Sequence, residues 1–475
     1  MRRTKIVTTL GPASIKSDVL REMIIAGANV VRLNFSHGEP ADHIKTASLV
    51  RTIAKELGQI VGIMVDLQGP KIRISKFKKS KINLVEGAEF ILDADLAKDA
   101  GDERMVGIDY KELPQDVVAG DVLLLDDGRL VLKVASVKGA QIFCRVVVGG
   151  ELSNNKGINR QGGGLSAPAL TDKDKEDIKI AAQLQADYIA VSFPRVAADL
   201  EEARNLMQAA GWKAGVIAKI ERLEAVATDT LDALINASDG IMVARGDLAV
   251  EIGDAEVPAA QKYMVQRARD LNKPVITATQ MMESMIHNAV PTRAEVSDVA
   301  NAVLDGSDAV MLSAETAVGD YPVLVVKTMD RVCQASEKNQ ETLATAYRAD
   351  ARFTRIDEAI AKATVYTANH INIKAIIALT ESGVNPLWMS RIRSGIPIYG
   401  LCRHQNILGK MALYSDVYPI NFDVTNYTTA EVKSAAIATL KAKGLVNSGD
   451  RIIVTYGDNV GMHGGTNSMT ILEVV

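Results

Sequence analysis

The stretch IVGIMVDLQGPKIR, residues 60–73, decides how this chain is read. Its first six residues are an apolar run rich in β-branched side chains, the pattern of a buried strand. The run ends in an acid, Asp66, then a Gly-Pro break and two cations, Lys71 and Arg73. A lone lysine in a loop is ordinarily a solvated surface group. Lys71, however, comes just past a buried strand and close behind Asp66, so the rest of the chain decides its meaning.

Seven further runs of the same kind occur: KIVTTL (5–10), ANVVRLNF (28–35), YIAVSF (188–193), GVIAKI (215–220), GIMVARG (240–246), PVITATQ (274–280) and AVMLSA (309–314). Helical stretches such as HIKTASLVRTIAKEL and AAQKYMVQRARDLN separate them. Strand alternating with helix predicts a parallel sheet, and eight such strands predict a closed (β/α)8 TIM barrel of α/β class. Strands three and four stand unusually far apart. The insert between them holds short strand-like runs with turns at Glu-Gly, Ala-Gly, Asp-Gly and Gly-Gly, which read as an all-β domain. From about residue 345 strand and helix alternate again, which reads as an open α/β layer. The expected organisation is a catalytic barrel over 1–69 and 169–344, an inserted β-barrel-like lid over 70–168, and a C-terminal α/β domain over 345–475.

Composition excludes several classes. A net charge of −4 leaves no electrostatic footprint for nucleic acid, and 4% aromatic residues argue against base-stacking platforms. Cys144, Cys333 and Cys402 lie far apart with no C-x-x-C, against a disulfide scaffold or zinc knuckle. The opening MRRTKIVTTLGP runs straight into a strand pattern without an apolar h-region or cleavage site. No apolar run approaches membrane-spanning length. A cytoplasmic protein is expected.

In a (β/α)8 barrel the active site lies at the C-terminal strand ends. Those ends read Thr8-Thr9, Arg32 to His37, Asp66, Ser192, Lys219-Ile220-Glu221, Arg245-Gly246-Asp247, Thr277 to Gln280, and Ser313-Ala314-Glu315. Polar strand ends are common because they leave the core. A concentration of charge at one mouth is not. Alternation of side chains along a strand places Arg32, Asn34 and Ser36 together, pairs Lys219 with Glu221, and pairs Arg245 with Asp247. Arg32 and Lys219 suit an anionic phosphoryl group. Glu221 and Asp247 are hard oxygen ligands for Mg2+, which needs only one or two carboxylates plus substrate oxygens. Lys219 beside such a carboxylate would neutralise charge during phosphoryl transfer. Gly246-Asp247 opens a helix-like segment whose first N–H groups could hold a carboxylate. No P-loop is present, and the Gly162-to-Ala167 match to a dinucleotide fingerprint lacks the strand that should precede it.

Several long motifs, in order along the chain, resemble those of the pyruvate kinase family: TKIVTTLGP (4–12), RLNFSHG (32–38), KIERLEAV (219–226), VARGDLAVE (243–251), NKPVITATQMMESMI (272–286) and LSAETAVGDYP (312–322). The resemblance covers essentially the whole chain. It implies phosphoryl transfer from phosphoenolpyruvate to ADP by a homotetramer using Mg2+ (or Mn2+). It implies that Glu221 and Asp247 hold the metal and that Lys219 stabilises the transferring group. Arg32 would grip the phosphate, with Gly246, Asp247 and Thr279 at the substrate. Thr279 would lie by the methylene carbon, and Ser313 and Glu315 would form a proton relay. Asn34, His37, Arg73 and Lys156 resemble nucleotide-side contacts, the last carried by the lid. Thr380, Glu381, Ser382 and Gly383, with the glycine-rich 457–467, resemble a phosphorylated-effector site. Asn34, Ser36 and Asp66 match a monovalent-cation pocket. The chain departs from the pattern at Leu67 and Lys71, so K+ is expected to be dispensable, with the Lys71 ammonium serving that pocket. Two other readings compete with it: a Mg2+-dependent lyase or mutase acting on phosphoenolpyruvate or a 2-oxo acid, and a non-catalytic sugar-phosphate sensor.

Overall fold

A computed structural model describes residues 1–126, 128–338, 353–392, 394–458 and 465–475. Eight parallel strands close into a barrel: β1 (Lys5–Thr9), β2 (Val30–Asn34), β3 (Gly62–Asp66), β4 (Tyr188–Val191), β5 (Gly215–Ile220), β6 (Gly240–Ala244), β7 (Val275–Ala278) and β8 (Ala309–Leu312). β1 pairs with both β2 and β8, so no barrel edge is left open.

Side-chain alternation sorts each strand into two layers. Ile6, Val31, Ile63, Val65, Val216, Ala218, Ile241 and Val243 face the surrounding helices and join their core. Val7, Val30, Met64, Ile217, Met242, Ile276 and Met311 fill the barrel interior. Two residues on from an interior residue stands the next inward position, so Arg32 follows Val30, Asp66 follows Met64, and Lys219 follows Ile217. The charged mouth is thus the upper continuation of the interior layer. The same interior core runs on into Leu408, Met411, Leu413 and Tyr414 of the C-terminal region.

Between β3 and β4 lies a separate β structure. A six-stranded sheet and a two-stranded sheet, spanning Lys81–Leu84 to Ile158–Arg160, enclose their own apolar core around Phe90, Leu92, Leu123, Leu132 and Ile142. The two chain segments at its root are joined by an isolated antiparallel bridge between Arg73 and Gly157. The chain just past β3 is pinned as well. Asp174, in the first turn of the helix Asp172–Gln183, accepts from Gly69 N–H at 3.1 Å while closing a capping box with Thr171.

The C-terminal region is a five-stranded sheet. Val417–Asn421, Ile398–Cys402, Ala375–Leu379 and Arg451–Tyr456 run parallel in that order, and Ser468–Glu473 closes the edge antiparallel. The expected boundary near 344–345 lies outside the described residues, as does most of the glycine-rich 457–467. One buried ion pair joins sheet region and barrel: Arg391, near the end of the helix Val384–Ile392, meets Asp308 just before β8. Burial raises the Asp308 carboxyl, and Arg391 more than reverses this and holds it below its ordinary range. No helix among the described residues is long and apolar enough to cross a membrane.

Candidate active site

Three inward-facing strand ends build the centre of the mouth. Arg32 Nε lies 2.6 Å from Asp66 Oδ2, and its Nη1 donates to Thr9 Oγ1 at 3.0 Å. Lys219 Nζ lies 2.8 Å from Glu221 Oε1 and 3.3 Å from Asp66 Oδ1, and donates to Ser192 Oγ at 2.7 Å. Asp66 and Glu221 are each 1% exposed. Ser192 donates onward to Leu67 carbonyl, which fixes the chain just past β3. Glu221 Oε2 accepts from Phe193 N–H at 2.9 Å.

The electrostatics follow from burial and neighbours. Burial pushes the Asp66 carboxyl up, but Lys219 and Arg32 outweigh it and hold the group below its ordinary range. Burial pulls the Lys219 ammonium down, and Asp66 with Glu221 overcomes this and raises it. The two carboxylates thus favour the charged form of Lys219. Glu221 ends up raised: burial and the charge of Asp247 outweigh the help from Lys219.

Asp247 sits in the first turn of the helix Arg245–Ile252, which begins as soon as β6 ends at Ala244. That corrects the pairing of Arg245 with Asp247 expected from strand alternation. Strand geometry ends at Ala244, before either residue. Arg245 keeps to the outer side and ion-pairs with Asp298 at 2.7 Å. Gly246 N–H donates to Thr279 Oγ1 at 2.9 Å. Thr279 and Gln280 both take left-handed backbone angles, φ 69° and 54°. For a β-branched residue such as threonine this is an outlier, costing on the order of 1–3 kcal/mol.

Lys71 also departs from expectation. Its ion contact is with Asp247 Oδ1 at 3.5 Å, not with the pocket of Asn34, Ser36 and Asp66. The cause is the Gly-Pro break. Gly69 takes φ 67°, and its carbonyl accepts from Lys71 N–H, so the chain reverses tightly and carries the lysine across the mouth. Asn34 Oδ1 meanwhile accepts from Ser36 N–H at 3.2 Å.

The remaining predicted residues are less concentrated. Glu315 is 2% exposed and accepts from Ser313 N–H at 2.7 Å and Met282 N–H at 3.1 Å, with burial raising its carboxyl. Arg73 donates to Asn155 carbonyl at 2.9 Å, and Lys156 pairs with Asp126 at 2.7 Å, both on the lid. His37 is exposed beyond β2. In the C-terminal sheet, Thr380 Oγ1 accepts from Gly383 N–H at 2.9 Å, and Glu381 holds Arg403 and His404. Sequence reasoning missed Arg403 and His404, although they directly follow a strand it identified. The Phe193 N–H donor carried no sequence signal.

Glu221 and Asp247 fit a divalent ion: both are hard oxygen donors, and the charge of Asp247 helps raise the Glu221 carboxyl, a repulsion a cation would relieve. Among the described residues no group of three or more His, Cys, Asp or Glu could hold a metal. Such an ion would therefore draw its other ligands from substrate and water, as Mg2+ does.

Comparison with known proteins decides the family. Residues 1–326 match the model of the pyruvate kinase barrel domain, and residues 358–472 match that of the pyruvate kinase alpha/beta domain. The chain belongs to the pyruvate kinase family. It is 56% identical to pyruvate kinase II of Salmonella typhimurium, covering 100% of this chain and 99% of that relative. It is 57% identical to pyruvate kinase of Haemophilus influenzae over 96% of each. Pyruvate kinase of Geobacillus stearothermophilus is 40% identical over 99% of this chain and 80% of its own length. The reaction is transfer of the phosphoryl group of phosphoenolpyruvate to ADP, giving pyruvate and ATP. The family generally works with Mg2+. The lyase, mutase and sensor readings are set aside.

Proposed function

We propose that this pyruvate kinase works through Arg32, Lys219 and Thr279 on the substrate, with Glu221 and Asp247 holding Mg2+ (or Mn2+). The observation that carries the reading is Lys219 Nζ, a largely buried ammonium 2.8 Å from Glu221 at the barrel mouth, which its carboxylate neighbours hold in the charged form. The bound metal would supply positive charge to the oxygens of the transferring phosphoryl group and of the substrate carboxylate. Arg32, already oriented by Asp66 and Thr9, grips the phosphate. Lys219 compensates charge that builds on the phosphoryl group and on the enolate oxygen as the bridging P–O bond breaks. The new P–O bond forms to the terminal phosphate oxygen of ADP. The enolate then takes a proton at its methylene carbon on the side of Thr279, and pyruvate results. Ser313 and Glu315 lie one strand further round, on the side from which that proton would be supplied, and Glu315 is held there by Ser313 N–H. Gly246 and Asp247 bound the substrate's carboxylate end. Asn34, His37, Arg73 and Lys156 meet the nucleotide, the last two brought down by lid closure.

The chain is further proposed to run without K+. Two features support this. Asp66, the buried carboxylate of the monovalent pocket, already has two cations beside it in Arg32 and Lys219. Lys71 adds a tethered charge at the mouth against Asp247. A tethered ion need not be captured from solution.

A sugar monophosphate or AMP is proposed to activate through the loop Thr380–Gly383. Its turn precedes the helix Val384–Ile392, and Arg403 and His404 stand beside it to receive an anion. Assembly as a homotetramer in the cytoplasm completes the reading. The edge strand Ser468–Glu473, with Ile471 exposed, is one surface such an assembly would cover.

Cation titrations test the metal and K+ roles together. Glu221→Gln and Asp247→Asn should each raise the half-maximal Mg2+ concentration at least about tenfold. Unchanged titrations in both would remove the shared metal site. In buffer with only a bulky organic counter-cation, the unmutated enzyme should keep near-full activity. Lys71→Glu should lose activity there and regain part of it with K+. Strong activation of the unmutated enzyme by K+ would refute the K+-independent reading.

The effector site is tested by the half-saturating phosphoenolpyruvate concentration of the Thr380→Ala, Ser382→Ala double variant. Activator should no longer shift it. A shift equal to the parent's would place the site elsewhere.

A further inference from the structure

We propose that Arg245 is a positioning residue for Thr279, holding the strained turn after β7 so that the threonine hydroxyl stays at the mouth. The proposal rests on the assignment of Thr279 to the methylene carbon of the substrate.

β7 ends at Ala278, and the next two residues are left-handed without a glycine among them. Nothing in the local sequence favours that conformation, so packing must impose it. Arg245 is placed to do so. It continues the outward series of Ile241 and Val243, and the residue is buried behind the barrel wall, 9% exposed. Nε donates to Ala278 carbonyl at 3.1 Å and Nη2 to Thr279 carbonyl at 2.6 Å. Those two carbonyls belong to the peptide planes on either side of the Thr279 Cα. Fixing both planes fixes φ, ψ and the direction of the side chain.

The fork is itself anchored. Nη1 reaches Asp298 of the helix Arg293–Asp305 at 2.7 Å and Gln261 of the helix Val257–Asp270 at 3.4 Å. The neighbouring residue grips the same threonine from the other side, since Gly246 N–H donates to Thr279 Oγ1. Thr279 Oγ1 donates in turn to Ala278 carbonyl at 2.6 Å. The Arg245–Gly246 segment therefore clamps the turn by side chain outside and by backbone inside. An ammonium could reach one carbonyl but not present a planar fork to two, so lysine is not equivalent here.

A double-mutant cycle tests this, using Arg245→Met, Arg245→Lys, Thr279→Val and the Arg245→Met, Thr279→Val double variant. The readouts are kcat, the KM values, and enzyme-catalysed exchange of pyruvate methyl protons in D2O, which reports proton transfer at that carbon alone. Arg245→Met should lower both kcat and exchange by about 10²-fold, with KM values changed less than about threefold. Arg245→Lys should fall between. In the Thr279→Val background, Arg245→Met should cost less than about threefold, because the group it positions is gone. If Arg245→Met does not unfold cooperatively, Arg245→Lys on the two backgrounds carries the same comparison. Full additive loss in both backgrounds, or a loss confined to KM, overturns the positioning role while leaving Thr279's role intact. A Thr279→Val enzyme of normal kcat and exchange overturns the Thr279 assignment, and the positioning role with it.

Discussion

The mouth of the barrel depends on one buried ionic contact, Lys219 between Glu221 at 2.8 Å and Asp66 at 3.3 Å. Removing one partner from such a buried set costs about 3–5 kcal/mol, because the others stay desolvated and unpaired. A charge array this costly is kept where function needs preorganised charge. The ends of two strands, β3 and β5, supply its members, and Arg32 of β2 joins through Asp66. Closure of the sheet into a barrel is what brings them to one point, since β3 neighbours β2 and β4, and β4 neighbours β5.

Around that contact the molecule divides its labour. Inward alternation lifts cations and carboxylates onto the top of a packed apolar interior. The lid hangs from the same strand that ends in Asp66, so Lys71, Arg73 and the lid root leave the mouth together. At the opposite end, interior and C-terminal cores are continuous, and Arg391 with Asp308 joins them by charge. Asp308 immediately precedes the strand that leads to Ser313 and Glu315. The helix bearing Arg391 begins just past the loop Thr380–Gly383. A single strand and a single helix thus lie between the proposed effector loop and the mouth.

Much of this was legible in the sequence because it follows from period and order. The eight apolar runs, the insert after the third and the strand-end residues Arg32, Asp66, Lys219 and Glu221 need only alternation and the rule that barrel sites lie at strand ends. What escaped depends on where a strand stops. β6 ends at Ala244 rather than Gly246, so Arg245 and Asp247 belong to a helix and face different ways. The tight Gly69 turn sends Lys71 to Asp247 instead of Asn34 and Ser36. Arg403, His404 and the Phe193 N–H contribute through tertiary proximity, which no local pattern encodes.

Lys219 is proposed as a fixed cation whose worth is realised as charge develops during transfer. The most direct test is the rate of ATP formation in rapid-quench single turnovers of Lys219→Met, with phosphoenolpyruvate affinity measured alongside. The transfer rate should fall by about 10³-fold or more. Affinity should weaken by less than about tenfold, because a group that acts on the transition state contributes less to the ground state. A near-normal transfer rate, or a defect that saturating phosphoenolpyruvate removes, would contradict it.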